Sequence, residues 1–447
     1  MKKTEQSEKL LNDFSAGRRR EALEELAGTL PRGPGSETAN HNMHLHSFFS
    51  YNARGWSPSR IAWEARKAGL HAAGLCDFDV LDGLEEFLEA GRKLFLRAAV
   101  NIETRAFLAE YADYEISSPG EPGVTYIMGA GFPRVPEKGS EQELQLNGYR
   151  ESARSRNMEV IAAINGQLPD IAIDYENDVL PLTPAGGATE RHIVRAYINK
   201  AGNIFADISK REKYWAGVLG QDLSDTAKLM KDETAFGEKV RARLVKRGGM
   251  GYRKPSPRTF PPVGEFMKWT RACGAVPMVA WLDGTSEGEK DGRALLECAK
   301  SKGASALNII PDRNWNIADR EECAVKTENL RTIIETAEDM GFPVNIGTEM
   351  NKPGLPFVDD LECEALSPYR DIFLKGADII VGHTLLGRYA DYGYPGEKAR
   401  EDFGDVEARN GFFAAAGALP PMNEETARRL EDMGPLEALK WFKKRVA

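Results

Sequence analysis

The stretch Asn42-Met-His-Leu-His-Ser47 decides how the rest of the chain is read. Side chains two apart in a strand face the same side, so His44 and His46 can present both imidazoles to one point, as a shared metal ion requires. His-x-His alone is a common pair, and two hydrogen-bonded histidines would explain it equally well. Its surroundings carry more weight. After it the chain alternates amphipathic helices with short apolar runs: SPSRIAWEARKAG (57–69), AAGLCDFD (72–79), GLEEFLEAGRKL (83–94), AAVNIET (98–104) and VTYIMGAGF (124–132). The same rhythm returns with FMKWTRACG (266–274), VPMVAWLDG (276–284), GRALLECAKSKG (292–303), ALNIIPD (306–312), NLRTIIETAEDMG (329–341), PVNIGTE (343–349) and ADIIVGH (377–383). Alternation of this kind favours parallel βα units. Seven or eight strands can be counted, which predicts a barrel.

In a barrel of parallel strands the C-terminal ends converge on one face, where ligands distant in sequence can meet. Acidic residues stand at several of these ends: Asp77 and Asp79, Glu103, and Glu349. Imidazoles with carboxylates suit zinc, manganese or iron. His383 is placed at the end of the ADIIVGH strand and joins the candidate ligands. His192 follows the helix-starting TPAGGAT and is a candidate for the substrate. For His41, ahead of the first strand, and His71, in a helix-to-strand turn, a structural role is expected.

In order and spacing, HLHSFFS, the SPSRIAWEARKAGL helix, LCDFDVLDGL and VNIET resemble the opening motifs of the PHP (polymerase and histidinol phosphatase) metallohydrolases, closely over residues 42–129 and loosely beyond. The resemblance implies a distorted TIM-like (β/α)7 barrel holding two or three metal ions and hydrolysing phosphate esters. Carried over residue by residue, it makes His44, His46, Glu103 and Glu349 one metal site, Glu349 standing where the family has an Asp-x-His pair. Where the family carries ligands for further ions, this chain has Tyr51, Phe78 and Asn351, with Tyr126 and Trp281 at two more such positions. About one divalent ion per chain is therefore expected.

Asp77, Asp283 and Asp312 are the candidates for general base or assisting carboxylate; an Asp at a strand-to-helix junction is equally a cap or turn residue. Arg313, His192, Trp281 and Asn351 are the candidates for holding substrate. Phe78, Tyr126, Trp281 and Trp315 are expected to narrow the mouth, and Arg191, Lys246, Arg247 and Arg253 offer charge for an anion. The function this predicts is metal-dependent hydrolysis of a small anionic substrate, a phosphoester. The alternatives are a mononuclear amide hydrolase, lyase or isomerase, or a degenerate PHP-like binding module.

Bulk properties set the limits. At 447 residues, the chain has room for one large α/β barrel with additions. It divides into an N-terminal helical arm (1–37, broken by PRGPGS at 31–36), a first barrel part (38–200), a helical insertion (201–259) and a second barrel part (260–447). Its net charge of −9 argues against gripping nucleic acid, which needs a basic surface. No signal-peptide core or membrane-length apolar run is read, so a cytoplasmic location is expected, with a small-molecule partner and room for a homo-oligomer. The five scattered cysteines form no Cys-x-x-Cys pair and are expected to be reduced.

Overall fold

The computed structural model describes residues 2–31, 33, 38–254 and 259–446. Most of the PRGPGS break lies outside them. Seven strands form one sheet in sequence order: β1 (His41–Leu45), β2 (Ala72–Phe78), β3 (Arg97–Phe107), β4 (Val124–Ala130), β5 (Val276–Trp281), β6 (Ala306–Ile309) and β7 (Val344–Ile346). A parallel bridge between Leu45 and Glu349 joins the last strand's extension to the first, nearly closing a TIM-like barrel. One strand departs from the parallel reading: β4 is antiparallel to both β3 and β5. Between β3 and β4 the chain turns back through residues 108–123, which hold a single 3-10 turn (Ala109–Tyr111) and no α-helical crossover.

The strands show a period of two. Ala72, Cys76, Ala99, Met128, Met278, Ala280 and Ala306 face inward and share one apolar cluster, which Met43 joins because β1 is bulged between Asn42 and Leu45. Their alternates, among them Leu75, Val100, Ile102, Val279, Leu307 and Ile309, belong to the larger outer core. That outer layer is built by α1 (Lys2–Leu10), α2 (Ala16–Ala27), α3 (Pro58–Lys67), α4 (Leu84–Leu94) and the helices of the second half. The arm is thus part of the barrel's packing, since Leu11, Leu23 and Leu26 are buried in the same core.

Between β4 and β5 run α5 (Glu141–Asn165), α6 (Glu190–Ile204), α7 (Ile208–Leu219), α8 (Leu223–Leu229), α9 (Glu233–Leu244) and α10 (Val263–Ala272). Residues from Ile161 to Val245 pack into a core of their own around Trp215 and Tyr197. Residue 201, the boundary drawn from the sequence pattern, lies inside α6. After β5 come α11 (Gly292–Ser301), α12 (Asp312–Trp315) and α13 (Arg320–Asp339).

The second departure concerns ADIIVGH, which is no strand: it lies within α14 (Arg370–Ala390). This helix closes the barrel's N-terminal end, its Asp378 accepting from His71 just ahead of β2 at 2.7 Å. At Gly376 an added Cβ would stand 2.0 Å from the Val344 carbonyl oxygen, so the glycine permits the close approach to β7. Aliphatic residues without alternation read as either element, and length arbitrates only when both boundaries are visible.

Candidate metal centre

β1 carries His44 and His46 to the barrel interior, β3 carries Glu103, and the turn after β7 carries Glu349. All four are buried, and one potential ligand atom from each lies within 4.8 Å of the others. The closure of the barrel makes this meeting possible. The Glu349 amide donates to the His44 carbonyl at 2.8 Å, and the His46 amide donates to the Glu349 carbonyl at 2.9 Å. Glu349 and Met350 both adopt left-handed backbone, φ 60° and 54°, which costs a non-glycine residue of order 1 kcal/mol or more and persists where surroundings over-determine it.

The atoms facing each other are the two imidazole Nε2 atoms and Glu103 Oε2, at 3.4 and 3.5 Å. None of the three has a hydrogen-bond partner among the described residues. Three buried polar atoms left without partners at one point are what a cation fills, because burying them otherwise costs a lost hydrogen bond each. The electrostatics agree. Burial alone would raise Glu103, but His44 and His46 hold its carboxyl down to about 2. Burial would likewise lower His44, yet Glu103 and Glu349 raise it. The cluster favours positive charge at its centre, and its donor set of two imidazoles and two carboxylates fits a divalent ion.

Behind the ligands, each imidazole is held at Nδ1. His44 Nδ1 lies 3.1 Å from the Asn308 amide, and His46 Nδ1 lies 3.3 Å from Ser50 Oγ. Ser50 donates to Asp77 at 2.6 Å, and Asp77 also accepts from the Ser47 amide and hydroxyl. Both Asp77 oxygens are committed there, so the residue acts through Ser50 on His46 and does not face the cluster. Burial raises its carboxyl above the ordinary range, against the pull of Ser47, Ser50 and His46.

Other candidates fall elsewhere. Asp283 caps its own turn, accepting from the Thr285 amide and hydroxyl and pairing with Lys326 at 3.0 Å. Asp312 begins α12 and accepts from Asn316. Asp283 has the turn role that competes with catalysis at such junctions, and Asp312 is tied to the far end of its own short helix. Trp281 belongs to the outer core, as its place in the alternation of β5 requires, and Trp315 packs against that same layer. His383 sits in α14 at the barrel's closed end, against Gly131 and Gly393, with Nδ1 accepting from the Tyr394 amide at 2.9 Å; burial pushes its pKa down to about 3. It is not among the clustered ligands.

Around the cluster, Phe78 stacks on His46 with ring centroids 4.4 Å apart, and Tyr126 lies 6.2 Å beyond Phe78. Arg313 pairs with Glu349 at 2.7 Å, and Asn351 follows half-buried in the same turn. His192 caps α6 through Nδ1 and packs edge-on against Tyr51 at 5.4 Å; burial lowers it to about 4. Sequence reasoning passed over Arg105, Ser50, Asn308 and Asp359. Arg105 was the most legible of them, standing two residues after Glu103 on the same strand face. Asp359 is buried with neither carboxylate oxygen partnered among the described residues; burial, then the charge of Asp312, push it up to about 7.

A solved structure shares this barrel. An amidohydrolase from Chromobacterium violaceum, determined with bound sulfate and no metal, superposes with a TM-score of 0.50 at 14% identity, over 74% of this chain and 95% of that one. A provisionally named metal-dependent phosphoesterase from Bifidobacterium adolescentis gives 0.46 and 18%, over 76% and 98%. At 14% identity the first likeness establishes the fold alone. No family model and no curated protein matches the sequence. Among the described residues no helix is long and apolar enough to cross a membrane.

Proposed function

We propose that the chain is a metal-dependent hydrolase of PHP type that acts on a small anionic substrate, a phosphoester, with one zinc, manganese or iron ion per chain. The observation that carries the reading is the convergence of two Nε2 atoms and a Glu103 oxygen, all buried and without partners among the described residues, beside Glu349. His44, His46, Glu103 and Glu349 would hold the ion. When bound, it supplies Lewis acidity and the means to deprotonate water near neutral pH.

The protein's own part is to orient and to exclude water. Asn308 and the Ser50 to Asp77 relay fix the two imidazoles, and Phe78, stacked on His46, dries one side of the centre. Arg313 reaches Glu349 from the mouth, with its side chain 42% exposed, and is placed to meet a substrate oxygen. Phosphoryl transfer benefits from several positive charges on the transferring group, and arginines supply them here where the family has further ions. Tyr51, Phe78 and Tyr126 at those positions favour the second reading, a mononuclear amide hydrolase.

Metal content by elemental analysis, with turnover of phosphomonoester and N-acyl amide panels, tests both readings. About one ion per chain, lost in His44→Ala with His46→Ala, and phosphoester turnover that a chelator abolishes is the expected result. Amide turnover with inert phosphoesters would establish the second reading, and a chain that binds no added metal would overturn both.

A further inference from the structure

Arg105 follows Glu103 by two residues on β3, so its side chain projects from the same face roughly 7 Å further toward the open end. Its cross-strand partner is Tyr126. The guanidinium is fixed there by Glu121 at 2.8 Å and by the Phe260 ring, 4.7 Å away. From the helical layer, Lys246 reaches the same region: it pairs at 2.9 Å with Glu190, which also takes Arg241 from α9. Arg313 approaches from the side of β6. These three cations keep access to solvent, with side chains 29% (Arg105), 44% (Lys246) and 42% (Arg313) exposed. Tyr126 stands opposite Arg105 across the β3–β4 ladder and 6.2 Å beyond Phe78, which stacks on His46, so its ring lies between the metal centre and Arg105.

Charge balance points the same way. The separate ion pairs around the mouth form a set that contains six cations, Arg156, Arg191 and Arg241 as well as the three above. Its carboxylates, counting Glu103 and Glu349, are also six. These six cations and six carboxylates balance one another, so a divalent ion held beside them would leave two positive charges for an anionic substrate to answer. Crowding shows in Lys246, which burial holds below its ordinary range, with Arg241 and Arg105 pushing the same way against Glu190.

We propose that Arg105, beside Tyr126, and Lys246 form a second anion subsite that holds a carboxylate or phosphate of the substrate remote from the bond being broken. Resting on the hydrolase reading, this makes the substrate class a molecule with two anionic ends about one strand pleat apart. Lys246 follows α9 in the layer between β4 and β5, so that layer joins Arg105 of the barrel in selecting the remote group.

The test is calorimetric binding of adipate, whose two carboxylates stand roughly one pleat apart when extended, against hexanoate, to the full chain with and without added zinc. Adipate is expected to bind about tenfold or more tightly than hexanoate, the scale of one charge-assisted hydrogen bond. Lys246→Ala should erase most of that preference and Lys246→Arg restore it, while the zinc content of the loaded chain stays unchanged. Equal affinities for the two acids, or a preference indifferent to Lys246→Ala in a variant with unaltered circular dichroism, would overturn the subsite. A chain that takes up no zinc yet keeps a Lys246-dependent preference would retain the subsite and remove the hydrolase reading.

Discussion

His46 shows how much a single hydrogen bond decides. Ser50 has one hydroxyl proton, which it gives to Asp77 at 2.6 Å, so toward His46 it can only accept. The imidazole must then carry its proton on Nδ1, leaving the Nε2 lone pair for the cluster. Asn308 does the same for His44 when its amide is turned to offer the oxygen, an atom otherwise without a partner among the described residues. Outer partners of this kind are commonly worth about 10–100-fold in metal affinity. Ser50→Ala is therefore expected to weaken zinc binding on that scale in a chelator competition titration, with Ser50→Thr close to the parent. Equal affinity in all three would show that something else sets the tautomer. Asp77 should remain in place in the variant, because Ser47 still gives it two hydrogen bonds.

At the scale of elements, the turn after β7 does what no regular strand could. It leaves β7, bridges to β1 and points Glu349 inward, at the expense of left-handed backbone at two successive residues. Glycine tolerates that conformation freely, so Glu349→Gly separates fold from function. Measured by thermal unfolding in chelator, the variant should match or exceed the parent, while its zinc affinity falls at least about tenfold as one of four ligands disappears. A large loss of metal-free stability would mean that the Glu349 side chain, through Arg313, holds the closure together. Residues explain which elements were legible in the sequence. Period-two alternation and His-x-His exposed β1, β2 and β3 with their inward faces, hence His44, His46 and Glu103. The direction of β4 was not legible, since alternation is the same whichever way a strand runs. α14 was not either: its ADIIVGH is apolar on every side because it is buried against both strands and later helices, and that erased the helical period and misplaced His383. Trp281 was misjudged by one residue of register, which in a strand reverses the face.

The whole molecule separates two tasks between two cores. The barrel and its outer helices, including the N-terminal arm, form the core behind the ligands, whereas the helices between β4 and β5 pack around Trp215 and Tyr197 in a cluster of their own. That second cluster positions Glu190, Arg241 and Lys246 at the mouth, yet none of the four clustered ligands comes from it. Separate cores open at separate free energies, so damage to one should spare the other. Trp215 is fully buried in the helical cluster, and Trp215→Ala typically costs about 3–5 kcal/mol at such a site. By hydrogen exchange, the variant should lose amide protection over α6, α7 and α9 while β1 to β3 stay protected. Zinc content should be unchanged, and the preference for a two-ended anion should fall because Lys246 is no longer held in place. If protection falls equally in the strands, or zinc is lost with it, the helices are a structural part of the barrel itself, and the division between holding the ion and choosing the substrate fails.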